Sequence, residues 1–409
     1  MWELIKSNKR KSIILFIVMG CLLILLGYLI GGAYIGEDGG YIGIFFALIL
    51  WSILSAVSYF SGSSILLSIS HAKEVTPQIH PQLFNVVEEM KIASALPYMP
   101  KVYIINEEAP NAFATGVKPE KSAIAVTSGL LSRLNRDELQ GVIAHEMAHI
   151  VNRDVLLMTF AGVMLGSIVI ISEVFLRGLW MGGGKRYGSR SSKSSGQAQI
   201  IIMIIAIVFA ILAPIIARLL YFAISRKREY LADASAVRFT RYPEGLASAL
   251  EKISSNEIEL PSANKVTAPM YIVNPLKKEG MKLSDLSSTH PPISERIKIL
   301  RSLGGGIDFK SYQSAFNKVS GKSNQIIPSS ALSESSLGLV GRAPLSAETT
   351  FDYKENKRVT GDAVMKLNGY SIISCSCGMK LKLPPGFGSN KPQIICPRCK
   401  TVHKVPASK

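Results

Sequence analysis

"GVIAHEMAHIVNRD", residues 141–154, sets two histidines four positions apart, His145 and His149, with Glu146 beside the first. On an α-helix positions i and i+4 share one face, so both imidazoles can turn a nitrogen toward one ion. Glu146 then stands where a carboxylate can take a proton from a water at that ion. The same stretch runs directly into residues 155–175, an apolar run of membrane-spanning length. Two readings compete: a hydrolytic metal site at a membrane surface, or the polar end of a transmembrane helix with two unrelated histidines.

The rest of the chain favours a membrane setting. Near-uncharged runs cover residues 13–30, 41–69, 155–175 and 199–217. Each is about as long as the ~17–25 residues that cross a hydrocarbon core as a helix. The expectation is therefore about four transmembrane helices, although Glu173 sits near the end of the third run and Pro214 interrupts the fourth. The first run is too long for the core of a cleaved signal peptide, and a second follows after ten residues, so a signal-anchor is expected. Basic residues at 6–11 place the N-terminus inside and the loop at Glu37 and Asp38 outside. Residues 71–154 then return to the cytoplasm. The 409-residue chain carries a formal charge of +17, concentrated at span ends and in the C-terminal tail, where anionic lipid explains the juxtamembrane share.

Between the second and third runs, residues 71–154 read as a compact α+β module. A helix is expected over 81–95, and short strands over 102–105, Ala112–Thr115 and Ala123–Thr127, before a helix from about Asp137. Residues 182–195 are Gly- and Ser-rich and read as a flexible loop. Residues 225–303 read as helical. Residues 311–370, rich in Ser and poor in aromatics, read as a linker with little core. His71, His80 and His403 have no motif around them and read as surface residues.

Two neutral imidazoles do not complete a catalytic zinc site, which takes three protein ligands and a water. A metzincin would continue with glycine at 152 and histidine at 155; Asn152 and Val155 stand there, which excludes that class. The best third ligand is Glu229 in "SRKREYLADASA", just beyond the fourth run as His149 lies just before the third. If runs three and four form a hairpin at about 155–224, both segments emerge on one side. Asp233, one turn on, is then placed to orient a ligand imidazole. The alternative is an ordinary glutamate paired with Arg226 or Arg228. The hairpin also puts Lys185, Arg186, Arg190 and Lys193 outside, against the positive-inside tendency.

Four motifs in order, "PNAFATG" at 110–116, "HEMAHIVNRD" at 145–154, "REYLADASA" at 228–236 and "STHPPISERI" at 288–297, resemble the HtpX-type membrane zinc metalloproteases. These are related to the CAAX prenyl endoproteases, and the resemblance covers roughly residues 1–305. It implies a mainly helical α+β fold with a gluzincin-like protease domain at 71–310 behind two N-terminal spans at 1–70. It implies a multi-pass inner-membrane endopeptidase, active on the cytoplasmic side against misfolded or damaged membrane proteins. His145, His149 and Glu229 match the family's zinc ligands and Glu146 its general base. Asn111, with Ala112, matches its substrate-strand motif, and His290 and Arg296 match residues that contact the substrate carbonyl or oxyanion. The residues themselves are consistent with this. An exposed edge strand at Ala112–Thr115 would take an extended peptide by strand addition, and His290 or Arg296 would stabilise developing negative charge.

Residues 371–409 stand apart. Cys375, Cys377, Cys396 and Cys399 form two close pairs like those of a zinc ribbon, a closed Cys₄ structural site. A second Zn²⁺ is expected there. The basic tail lacks a stacking aromatic run, which favours docking of a partner protein or substrate over nucleic acid. Two further readings stay open: a CAAX-type prenyl-protein endoprotease, and a non-enzymatic membrane adaptor that recruits partners through the ribbon.

Overall fold

The computed structural model describes residues 2–35, 38–182, 193–256, 258, 260–261, 271–273, 291–321, 323–333, 340–345, 351–387 and 393–405. Helices α1 (Trp2–Ile35) and α2 (Gly39–Ile69) form an antiparallel pair. A Cβ on Gly31 would lie 2.1 Å from the Gly39 carbonyl oxygen, and one on Gly43 would lie 2.0 Å from that of Gly27. Only glycine permits this approach, and such small-residue contacts hold helices together where lipid removes the hydrophobic drive.

Next come β1 (Lys73–Glu74), α3 (Pro81–Ala93), β2 (Lys101–Ile105), β3 (Ala112–Thr115) and β4 (Ala123–Thr127). The strands form one sheet in the order β1-β2-β4-β3, with β2 and β4 parallel and β3 antiparallel to β4 at one edge. α3 starts where Pro81 forbids a preceding turn and His80 Nδ1 accepts the Leu83 N–H at 3.2 Å. His80 is therefore a buried helix cap, contrary to the surface position expected of it.

After α4 (Ser128–Arg133), α5 (Arg136–Val151) carries both histidines of the opening stretch. A capping box starts it: Asn135 Oδ1 accepts the Glu138 N–H at 2.9 Å, and Glu138 Oε2 accepts the Asn135 N–H at 2.8 Å. α6 (Asp154–Gly182), α7 (Lys193–Thr240) and α8 (Pro243–Ser254) follow. A Cβ on Gly141 would meet the Leu246 backbone nitrogen at 2.6 Å, so α5 and α8 pack backbone to backbone. α5 is buried on every face, which explains why its apolar residues show no one-sided stripe.

The protein is a mainly helical, multi-pass membrane protein. Among the described residues three segments, Ile13–Ile35, Gly39–Ile69 and Ile200–Ala217, are long and apolar enough to cross a bilayer. Large apolar side chains such as Phe45, Phe46 and Phe60 are exposed on them, as lipid-facing residues are. The expected third run lies within α6, one continuous helix. Of the loop expected at 182–195, Gly182 ends α6 and residues 193–195 begin α7; the rest lies outside the described residues, with Lys185, Arg186 and Arg190.

The expected linker needs correction. α9 (Ile293–Arg301) is followed by α10 (Phe309–Ser320), α11 (Ser329–Leu332) and α12 (Tyr353–Leu367), all within or bordering 311–370. Tyr312, Phe316, Ile327 and Ala331 are buried in the same core as α5 and α7. The stretch is poor in aromatics, but Tyr312 and Phe316 face inward from α10, while Phe351, Tyr353 and Tyr370 are exposed. Arg342, also from this stretch, ties two helices together: Nη2 lies 2.7 Å from both Gln140 Oε1 and Asp137 Oδ1 on α5, and Nε donates to Thr240 O of α7 at 2.9 Å. Asp137 is buried, so Arg342→Ala strips one of its charged partners and is expected to cost about 1–3 kcal/mol. Thermal unfolding of the full chain measures this, and an unchanged midpoint would refute it.

The C-terminal module is two antiparallel hairpins, β5 (Ser371–Ser374) with β6 (Lys380–Leu383) and β7 (Gln393–Ile395) with β8 (Val402–Lys404). Asp362 of α12 anchors it through Lys380 at 2.6 Å and Lys382 at 2.9 Å.

Candidate active site

His145 and His149, one turn apart on α5, face Glu229 of α7. His145 Nε2 lies 3.2 Å from His149 Nε2 and 3.6 Å from Glu229 Oε2, and His149 Nε2 lies 3.5 Å from Glu229 Oε1. All three residues are buried. Ligands about 2.0–2.1 Å from a tetrahedral ion sit roughly 3.3 Å from one another. The two imidazole nitrogens and the carboxylate oxygens of Glu229 have close to that spacing, and two imidazoles with a carboxylate are a zinc-type donor set.

Each histidine is oriented from behind by a carboxylate, which in turn meets a buried arginine. His145 Nδ1 lies 2.9 Å from Asp233 Oδ1, and Asp233 takes two bonds from Arg296 of α9, Nε at 2.8 Å and Nη2 at 2.7 Å. His149 Nδ1 lies 3.3 Å from Asp154 Oδ2, and Arg228 Nη1 lies 3.3 Å from Asp154 Oδ1. A carboxylate at each Nδ1 draws the ring proton there and leaves Nε2 as the free donor to a metal. Burial opposes charge on His149, but its bonds to Asp154 and Glu229 outweigh this and hold its pKa at about 10. Both histidines are thus held in a strongly anionic pocket, one suited to a divalent cation.

The turn after α5 makes the second of these pairs. Arg153 takes a left-handed φ of 60°, a conformation that costs a non-glycine residue about 1–2 kcal/mol. The chain reverses there and brings Asp154 back against His149, five residues earlier. Glu146 is also buried, and burial pushes its carboxyl above the usual range while the two histidines pull it down.

Ala112 begins β3, and Asn111 immediately precedes it. β3 is at the sheet edge, but the exposed edge expected of it is not found: every residue of β3 is buried. Its outer side is covered by residues 271–273, with the Ile272 N–H donating to Ala112 O at 2.9 Å. Arg296, expected to meet a substrate carbonyl, is fully buried, and its Nη1 donates to the main-chain carbonyl of Ile272 at 3.3 Å. His290 lies outside the described residues. Four contributors escaped the sequence reading: Asp154, Arg228, Ile272 and Tyr312, whose hydroxyl lies 3.5 Å from Asp233 Oδ2. A motif signal existed only for Asp154 and Arg228, charged residues at the ends of motifs already singled out.

The four cysteines also converge. Their sulfurs lie within 4.8 Å of one another, with Cys375 3.2 Å from Cys399 and Cys377 3.6 Å from Cys396, and no disulfide joins them. A backbone hydrogen bond at Cys377, with the Cys399 and His403 side chains, pulls the Cys375 thiol below its usual range, toward the thiolate. That is the form a metal binds. His403 is thereby part of the module's surroundings rather than an isolated surface residue.

The sequence pattern of peptidase family M48 matches residues 77–303. A protease HtpX homolog of Dictyoglomus turgidum is 46% identical over 303 residues, covering 74% of this chain and 95% of the relative. One from Streptococcus uberis is 42% identical over 304 residues, covering 74% of this chain and 100% of the relative. The crystal structure of S. mikatae Ste24p is 20% identical, with 73% of this chain and 67% of that one covered, at a TM-score of 0.37.

Proposed function

The chain belongs to peptidase family M48, and from that membership we propose a zinc-dependent, membrane-embedded endopeptidase that cleaves misfolded or damaged membrane proteins at the cytoplasmic face of the inner membrane. The observation that carries the proposal is the convergence of His145, His149 and Glu229 at the spacing of a tetrahedral zinc site. The basic residues at 6–11, before the first span, support a cytoplasmic orientation.

In this reading His145, His149 and Glu229 hold the ion, while Asp233 and Asp154 fix the tautomers of the two imidazoles. When bound, zinc supplies Lewis acidity to a water and to the peptide carbonyl. Glu146 takes the proton from the attacking water and returns it to the leaving amine as the C–N bond breaks. Burial of its carboxyl favours this work, since a raised pKa brings a base nearer neutral pH. Cys375, Cys377, Cys396 and Cys399 hold a second, structural zinc, and their module offers a surface for a partner protein or substrate.

The test is metal content together with cleavage. The full chain in liposomes is expected to carry two zinc ions and to cleave an unfolded membrane polypeptide. Cys396→Ser should keep one ion and the cleavage. Stripping both ions with a chelator should end cleavage, and added zinc should restore it. Cleavage that survives complete zinc removal would refute the proposal.

A further inference from the structure

Every group named above as meeting substrate, apart from His290, bonds the backbone of the chain's own residues 271–273. We infer that this tripeptide occupies the place of a substrate strand beside the metal set and must be displaced before a polypeptide is cleaved. The inference rests on the peptidase reading of the same site.

Three features carry it. The first is the main chain of β3. Asn111 O accepts the Thr127 N–H of β4 at 2.9 Å, so in an extended strand the next carbonyl, Ala112 O, points to the outer edge. There it takes the Ile272 N–H, the bond an added peptide strand would make. The second is the Asn111 side chain, which brackets Val273: Nδ2 donates to Val273 O at 2.8 Å, and Oδ1 accepts the Val273 N–H at 3.4 Å. The third is Arg296, whose Nη1 donates to Ile272 O at 3.3 Å and lies 3.4 Å from Glu229 Oε2. One guanidinium nitrogen therefore joins the tripeptide's backbone to the candidate metal ligand.

The side chains alternate as they do in a strand. Tyr271 packs edge-on against Phe113, ring centroids 5.1 Å apart, on one face of the sheet. Ile272 enters the core shared with α5 on the other. Backbone bonds of this kind carry no sequence information, so an incoming polypeptide can replace each of them with an equal one. Displacement exchanges hydrogen bonds rather than losing them, and the internal strand acts as a tethered competitor with a high effective concentration.

Hydrogen exchange on the full-length Glu146→Gln variant in detergent tests this, with reduced, carboxymethylated α-lactalbumin as an unfolded probe. With probe bound, exchange at the Ile272 and Val273 amides is expected to rise at least tenfold. Bound probe with unchanged exchange would overturn the inference and make the tripeptide a permanent fifth strand, leaving the peptidase reading intact. A probe that neither binds nor is cut by the wild-type protein would overturn both. Val273→Pro, which deletes one tripeptide N–H and leaves Asn111 and Arg296 untouched, gives an independent reading. If it folds, its KM should fall several-fold at unchanged kcat; an unchanged or higher KM counts against displacement.

Discussion

Replacing Glu146 with Gln is expected to leave both zinc ions bound and to abolish peptide hydrolysis. The side chains have the same shape, so the packing of buried α5 should survive the exchange. The amide cannot take a proton from water or return it to an amine. General acid–base catalysis by a positioned side chain contributes typically ~10²–10⁴-fold, and the other carboxylates of the described residues at the metal set are already engaged. Glu229 faces both histidines, Asp233 is bound to His145 and Arg296, and Asp154 to His149 and Arg228. Metal analysis and a cleavage assay on the same preparation check the two halves of the prediction. Full activity with zinc bound would remove Glu146 from the mechanism.

Local signals in the sequence read well. Helical spacing placed His145 and His149 on one face, and β-branched and small residues between polar breaks placed β3 and β4 with the bounds observed. Glu229 was found because two apolar runs of matched length implied a return to the same side. Other contributors were missed. Tyr312 lies on α10, where Phe309, Tyr312, Phe316 and Val319 recur at helical spacing, a signal that the Ser-rich composition of the stretch obscures, and Arg342 lies in no helix. Residues 271–273 are shorter than the window in which alternation becomes visible. The resemblance assigns Arg296 to the substrate, but its ion pair with Asp233, 63 residues away, is a contact that no local rule reports.

The largest stability effect is expected at that pair. Arg296 and Asp233 are both fully buried, joined by two charged hydrogen bonds, and the Tyr312 hydroxyl lies 3.5 Å from the same carboxylate. Arg296→Met should leave the Asp233 carboxylate without its main countercharge and cost about 3–5 kcal/mol, the usual penalty for breaking a buried ion pair from one side. Lysine should rescue poorly, because it has no planar fork to make both bonds. Adding Asp233→Leu removes the stranded charge, and replacing a whole buried pair by apolar groups is often nearly neutral, so the double variant should regain much of the lost stability. It should not regain function. His145 Nδ1 then has no carboxylate to hold its tautomer, and zinc affinity should stay lower by about 10–100-fold. Thermal unfolding separates the first effect from the second, which is read by zinc titration. An Arg296→Met protein as stable as wild type would mean that Asp233 is neutral or otherwise paired, and the arginine would lose its place behind the metal set.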